Sequence, residues 1–329
     1  MPVSKYTVLI QPLHEAPAVP DRVGFESFLF NEPHHLRSQP CSEGFTFRLL
    51  HPARQRIEAR FSLFIQHRTG LSPCRAPFGS VEFGGQLATE ALDFFLDGIE
   101  AFVRSQELSA LRITGYPFAY APEPAQILTQ RLLNRGYAVV QAEKNFHLPV
   151  GEVPFEQGLH PSEKRRLKKC RRAGFIFTEE AQPDVDCVYN FVAASRQPRG
   201  FSVSLDRAVL NDLFERFPAN YKVFTVRDAD RLAALTVAVV VNHRILYSFY
   251  PAHDARYQAF SPVVLLMEGV YGFCQRHSFG LLDLGTSPDG GNPNYGLIRF
   301  KQHLGAHVSL KLSFEKKWTE GNGQLTMDN

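Results

Sequence analysis

Leu281-Leu-Asp-Leu-Gly285, the loop that carries the chain on to Gly296-Leu-Ile-Arg-Phe-Lys301, and the turn Leu304-Gly-Ala306 form the stretch on which the fold is decided. Leu281 to Leu284 is a short apolar run around one carboxylate, the pattern of a buried strand. Gly285 to Gly296 crowds glycine, proline, asparagine and aspartate together and reads as a loop. Leu297 to His303 has helical spacing, and the glycine turn after it leads into a strand, Leu304 to Leu310. Upstream, Arg244 to Tyr250 reads as a strand and Ala252 to Phe260 as a polar loop. Ser261-Pro262 then reads as an N-cap and first-turn proline opening a helix to about Arg276. Two earlier strands, Lys222 to Arg227 and Leu232 to Val241, are joined by Asp228-Ala-Asp-Arg231. Four residues cannot hold a crossover helix, so this pair is an antiparallel hairpin, and a purely parallel doubly wound sheet is excluded. The order is that of a mixed α/β (α+β) fold.

Further outward, two helical patterns cover Val185 to Ser195 and Leu205 to Phe217. Ser162 reads as the cap of a helix that ends at Gly174, and Glu156 to Pro161 reads as a linker. The first half repeats the element order of the second. A strand at Arg60 to Gln66 leads through the Gly/Pro-rich Thr69 to Gly85 into a helix from Leu87 to Arg104. A strand at Leu111 to Thr114, a helix at Pro124 to Asn134 and a turn plus strand at Arg135 to Val140 complete the unit. The expected organisation is two tandem units, 1–155 and 156–318, each a mixed central sheet flanked by helices, followed by a disordered tail, 319–329.

A chain of 329 residues with 44% hydrophobic, 21% charged and 12% aromatic content has material for two cores, which excludes collagen-like and disordered classes. The net charge of +3 argues against a whole-chain nucleic-acid binder, so no DNA partner is expected. Cys41, Cys74, Cys170, Cys187 and Cys274 show neither metal-ligand spacing nor a disulfide framework, which suits a reducing cytoplasm and leaves no metal site expected. Met1 to Gln11 is too short for a signal peptide, and the ten-residue run Leu232 to Val241 is too short for a membrane span. Glycine-x-serine-x-glycine, Walker A, Rossmann and His-Glu-x-x-His motifs are missing, which removes support for hydrolase, NTPase, dehydrogenase and metalloprotease readings.

The second-half order resembles the GNAT acyltransferase fold. Leu282-Asp-Leu-Gly285, Gly296-Leu-Ile-Arg-Phe-Lys301 and Leu304-Gly-Ala306 resemble the carboxyl-terminal signature of its FemAB-like branch, which has two such units in tandem. The resemblance implies an N-acyltransferase with no permanently bound cofactor. Its donor would be acyl-CoA or aminoacyl-tRNA, and its acceptor a small-molecule or a cell-wall or lipid-linked amine. Two departures stand beside it. The glycine-rich phosphate loop of acetyl-CoA enzymes is replaced by Ala255-Arg256-Tyr257-Gln258-Ala259-Phe260-Ser261, and the long charged helical hairpin of peptidoglycan-building Fem enzymes is missing.

Acyl transfer to an amine needs a seat for the leaving group, an unprotonated nucleophile, oxyanion stabilisation and a proton acceptor. Ser261, with Phe260, Ala259 and Arg256 before it, offers a helix amino end for the donor, or else an ordinary capped core helix. Lys301 neutralises an oxyanion or phosphate, or is a solvated lysine; Asp283 takes a proton or orients the amine, or caps a loop. Tyr250 and His253 are further acid or base candidates. Tyr295 in the polar loop and Arg299 on another helix face are candidate substrate contacts, as is Arg75 in the turn-rich Ser72 to Phe83.

Seven of the nine residues from Lys164 to Arg172 are basic, so Lys164, Arg165, Lys168 and Arg172 suit a polyanionic substrate such as tRNA. The rival readings are an aminoacyl-tRNA-dependent transferase and a non-catalytic binder of a nucleotide- or lipid-linked phosphate.

Overall fold

The structure is a computed structural model that describes residues 5–16, 22–197, 206–289 and 292–318. The tail 319–329 and the centre of the polar loop, 290–291, lie outside the described residues, as does the first residue of the helix expected from Leu205. The elements run β1 (Thr7–Pro12), α1 (Pro33–Leu36), β2 (Gly44–His51), β3 (Arg56–Gln66), β4 (Thr69–Ser72), β5 (Glu82–Phe83), α2 (Thr89–Ser105), β6 (Ala110–Thr114), α3 (Pro122–Asn134) and β7 (Ala138–Pro149). They continue with α4 (Phe155–Gly158), α5 (Pro161–Arg172), β8 (Ile176–Glu180), α6 (Val185–Arg196), α7 (Arg207–Arg216), β9 (Tyr221–Asp228), β10 (Arg231–Val240), β11 (Ile245–His253) and α8 (Pro262–Arg276). The last are β12 (Leu281–Thr286), the short β13 (Pro288–Asp289) and β14 (Asn292–Pro293), α9 (Tyr295–His303) and β15 (His307–Lys317). Among the described residues no helix is long and apolar enough to cross a membrane.

Two compact units divide the chain: Met1–Glu143 with Leu310–Asn329, and Lys144–Ser309. The sequence reading instead places one boundary at 155/156. In the first unit the strand order is β1-β2-β3-β4-β6-β15, with β5 on β3; in the second it is β7-β12-β11-β10-β9-β8. Each unit has one parallel pair bridged by a crossover helix, β4 with β6 across α2 and β11 with β12 across α8. β7 pairs antiparallel with β12, from Asn145↔Thr286 to Pro149↔Leu281. β15 pairs antiparallel with β6, from Ser313↔Thr114 to Lys317↔Ala110. The strand completing each sheet therefore comes from the distant half of the sequence.

In the first unit α2 buries Ala91, Leu92, Phe95, Leu96, Ile99 and Val103, a three-and-four spacing that lays one face on Phe47, Leu63 and Leu111. Its sheet also buries a charge. Arg60, 1% exposed, donates from Nε and Nη2 to Glu82 Oε2 at 3.0 and 2.7 Å, and from Nη2 to Glu32 at 3.1 Å. The Phe28 N–H donates to the other Glu82 oxygen at 2.9 Å. Cys41 and Cys74 form a disulfide, their Cα atoms 6.3 Å apart, which corrects the expectation of five unpaired cysteines. Spacing along the chain does not reveal a pair brought together across a fold, and the argument from cysteine usage to a reducing compartment loses its support.

The second unit's core is built from α8 residues Val264, Leu266, Val270 and Cys274 against Phe224, Leu246, Leu282 and Phe146. Leu167 and Cys170 seat α5 on the same core. This helix ends in a Schellman arrangement: Gly174, with φ of +78°, donates to the Arg171 carbonyl and Phe175 to that of Cys170. Its amino cap is His160, not Ser162. Pro161 already occupies the first helical position, so the cap falls one residue earlier and Ser162 lies inside the first turn.

Candidate functional site

The site is built on the parallel pair of the second unit. β11 runs to His253 and β12 to Thr286, but their pairing covers only Ile245–Tyr247 with Leu281–Asp283. Beyond Tyr247 and Asp283 the strands part. Each strand is also irregular at the parting. On β11, Ser248 and Tyr250 pair with Ala238 and Val237, so the register passes over Phe249. On β12, Asp283 and Gly285 pair with His147 and Phe146, passing over Leu284. Gly285 takes a φ of +71°, and a Cβ there would lie 3.1 Å from the Tyr247 ring.

Two buried charges hold this distortion. Asp283, 2% exposed, accepts at Oδ1 from Asn145 Nδ2 at 2.8 Å and from the Gly285 N–H at 2.7 Å. Lys301, 4% exposed, donates to the carbonyls of Gly285 at 3.0 Å and Thr286 at 2.8 Å, with Nζ 5.4 Å from the Phe146 ring centre. Burial pulls the Lys301 pKa down to about 8, and the nearby Asp283 charge opposes the shift. The helix that carries Lys301 starts at Asn294, whose side chain caps it through the Leu297 N–H. The lysine is neither on the surface nor unpaired. It is a cation held on two backbone carbonyls and still titratable near neutrality.

His147 lies opposite Asp283 on β7, and its ring meets His307 edge to face at 5.9 Å. Burial lowers its pKa, as does His307, while Asp283 raises it. Neither His147 nor Asn145 is reached by the sequence reading, which ends this strand at Val140. The only signal lies in the polar-apolar alternation through Asn145, Phe146, His147 and Leu148.

The donor-side candidates form a second group. Ser261 stands at the start of α8 in the left-handed region, φ 56°, and its side chain makes no cap hydrogen bond. The expected serine cap is therefore a backbone turn, in a conformation that favours glycine. α5 reaches this turn: Lys169 Nζ donates to the Ala259 carbonyl at 3.1 Å and sits 4.4 Å from the Phe260 ring centre, and Cys170 Sγ donates to the Phe260 carbonyl at 3.3 Å. Arg256 is exposed and ion-paired with Asp254. On α5, Arg165, Lys168 and Arg172 are exposed, and Lys164 donates to the Gln157 carbonyl at 3.4 Å. Arg166 pairs with Glu163, and Arg171 with Glu156 and Glu268.

The remaining candidates are dispersed. Tyr250 is buried with the Arg196 guanidinium 4.7 Å from its ring centre. His253 lines a depression with Phe191, Ala194, Ser195, Asp254 and Gln258, and its N–H donates to Ser195 Oγ at 3.2 Å. Tyr295 and Arg299 are exposed on α9, and Arg75 is exposed in the first unit, where its N–H donates to Gln39. Thus Asp283 and Lys301 are brought together, Ser261, Phe260 and Ala259 meet the basic helix, and His253 belongs to a separate depression.

Residues 162–301 match the family model of the acetyltransferase (GNAT) domain. No curated protein matches the sequence significantly. Among solved structures, FemX superposes with a TM-score of 0.68 at 10% identity, over 88% of this chain and 92% of that one. A tandem GNAT protein from the clavulanic acid biosynthesis pathway gives 0.53 at 13% identity over 88% of each chain. The C-terminal domain of a putative lysylphosphatidylglycerol synthetase from Agrobacterium fabrum gives 0.55 at 11% identity, over 79% of this chain and 82% of that one. The chain has the fold of two tandem GNAT-like units, and the segment that matches the GNAT acetyltransferase domain model lies in the second.

Proposed function

We propose that the second unit is an N-acyltransferase in which an amine attacks the donor carbonyl directly, without an acyl-enzyme. The observation that carries this reading is the parting of β11 from β12 beyond Tyr247 and Asp283, beside a buried cation. Two parallel neighbours that diverge present backbone edges able to hold an extended donor arm by hydrogen bonds, as an added strand would. The reacting carbonyl then sits where the bulged strands meet. Charge on its oxygen is stabilised by backbone N–H groups of the bulge and by the field of Lys301, in a site where burial strengthens both.

The donor's anionic end is seated at the Ala259-Phe260-Ser261 turn beside Lys169. Acyl-CoA is the first donor to test. A second reading, aminoacyl-tRNA, is favoured by the exposed row Arg165, Lys168 and Arg172, because a dense basic face suits a polyanion longer than one diphosphate. In this proposal the acceptor is a small-molecule or a cell-wall or lipid-linked amine, and the first unit is non-catalytic.

The test is product formation, followed by mass spectrometry, from a panel of acyl-CoA and aminoacyl-tRNA donors with amine acceptors. The reading expects one donor class to yield an amide, and to lose most of that product in Lys301→Gln. Binding of phosphorylated ligands with no amide from any donor would replace it with the non-catalytic binder.

A further inference from the structure

We propose that His147 is the proton acceptor for the attacking amine. The inference rests on the acyl-transfer reading above. Residues paired directly across neighbouring strands place their side chains on the same face of a sheet. Tyr247 pairs with Asp283 and Asp283 with His147, so the three form a polar row across β11, β12 and β7, at the level where the first two strands part.

Among these three and the neighbouring Lys301, the requirements of a base select one group. Lys301 remains an ammonium up to about pH 8 and already donates to two carbonyls. Asp283 accepts two hydrogen bonds at one oxygen, and an ionised carboxylate is a weak base. Tyr247 offers a phenol, and an ordinary phenol gives up its proton only near pH 10. His147 is half-buried, and its Nδ1 is buried with no hydrogen-bond partner among the described residues. A buried ring nitrogen left unpaired costs stability unless something uses it. The groups facing the ring are Asp283 from β12 and His307 from β15, and Lys301 from α9 lies near Asp283. Burial disfavours the imidazolium and so favours the neutral ring, while the Asp283 charge acts the other way and would stabilise the imidazolium that forms during the reaction.

The amine lone pair forms the C–N bond, and the carbonyl π pair moves onto oxygen. His147 takes the proton from nitrogen. The oxyanion then collapses, the bond to the leaving oxygen or sulfur breaks, and the proton held by His147 ends on that leaving group.

The test compares kcat from about pH 5 to about pH 10 for wild type and His147→Gln. Wild type is expected to show an acid limb with its midpoint below the ordinary histidine value of about 6.5. His147→Gln is expected to lose a hundredfold or more in kcat, lose that limb, keep the donor KM and unfold within a few degrees of wild type. An acid limb that came from the acceptor amine would persist in the variant. A variant with the wild-type rate and limb overturns the proposal while acyl transfer stands. If wild type forms no amide from any donor, the acyl-transfer reading itself fails. A second measurement needs no turnover: the His147 ring is titrated by NMR in wild type and Asp283→Asn. A midpoint below about 6.5 that falls further in Asp283→Asn is expected. A midpoint at or above that value, or one indifferent to Asp283, overturns the assignment.

Discussion

Arg60 in the first unit and Lys301 in the second are both buried cations, 1% and 4% exposed, and they are held in opposite ways. Arg60 faces two carboxylates, Glu82 and Glu32, which outweigh its burial and hold its pKa above the ordinary value. Lys301 rests on two carbonyl oxygens with one carboxylate nearby, and burial wins, bringing its pKa to about 8. A cation locked by carboxylates is a structural fastener. One held by dipoles keeps a charge that can respond to chemistry near neutral pH. The contrast fits the proposal in which the second unit carries the chemistry and the first does not.

Breaking the fastener gives the largest expected effect. Arg60→Met leaves Glu82 buried without its partner and is expected to cost about 3 to 5 kcal/mol, read as a lower urea midpoint. If Arg60→Met unfolds as wild type does, the ion pair is not what holds that sheet. Lys301→Gln keeps an N–H donor for the carbonyls but removes the charge. Amide formation should fall about 10² to 10³-fold, while the melting temperature at neutral pH does not drop. Retained turnover would make Lys301 a fastener like Arg60.

The two cations also differ in how they link stability to pH. The folded Lys301 pKa of about 8 lies below its unfolded value of 10.5, so between them the unfolded chain binds more protons and stability rises with pH. The rise attributable to Lys301 is about 3 kcal/mol across that window, and it disappears in Lys301→Gln. Arg60 contributes no slope there. Equilibrium unfolding at fixed pH steps measures both. The smallest effect is on the surface: Arg165→Glu with Lys168→Glu should raise the KM of an anionic donor several-fold at low salt and little at high salt, with stability changed by less than about 0.5 kcal/mol.

What the sequence revealed follows the same division between local and distant causes. α8, β12 and α9 were legible because proline, apolar periodicity and turn residues act within a few positions, and Asp283 and Lys301 were found on them. β8 and the far half of β7 were not. β7 looks polar through Gln141, Glu143 and Lys144, and its partner β12 lies more than a hundred residues on, so Asn145 and His147 stayed hidden. The disulfide failed to show for the same reason, being created by proximity in space.

The exchange of closing strands sets the order in which the protein can be finished as it leaves the ribosome. β12 finds its neighbour β7 already made, whereas β6 waits for β15, with Arg112 meeting Glu315 across 203 positions. Synthesis proceeds at about 5 to 20 residues per second, and domains ordinarily fold from the amino end first. Here the first unit keeps an open strand edge at β6 until β15 has been made. A gene cut at 155/156 would separate β6 from β15 and β12 from β7, leaving both products with an unpaired edge prone to association.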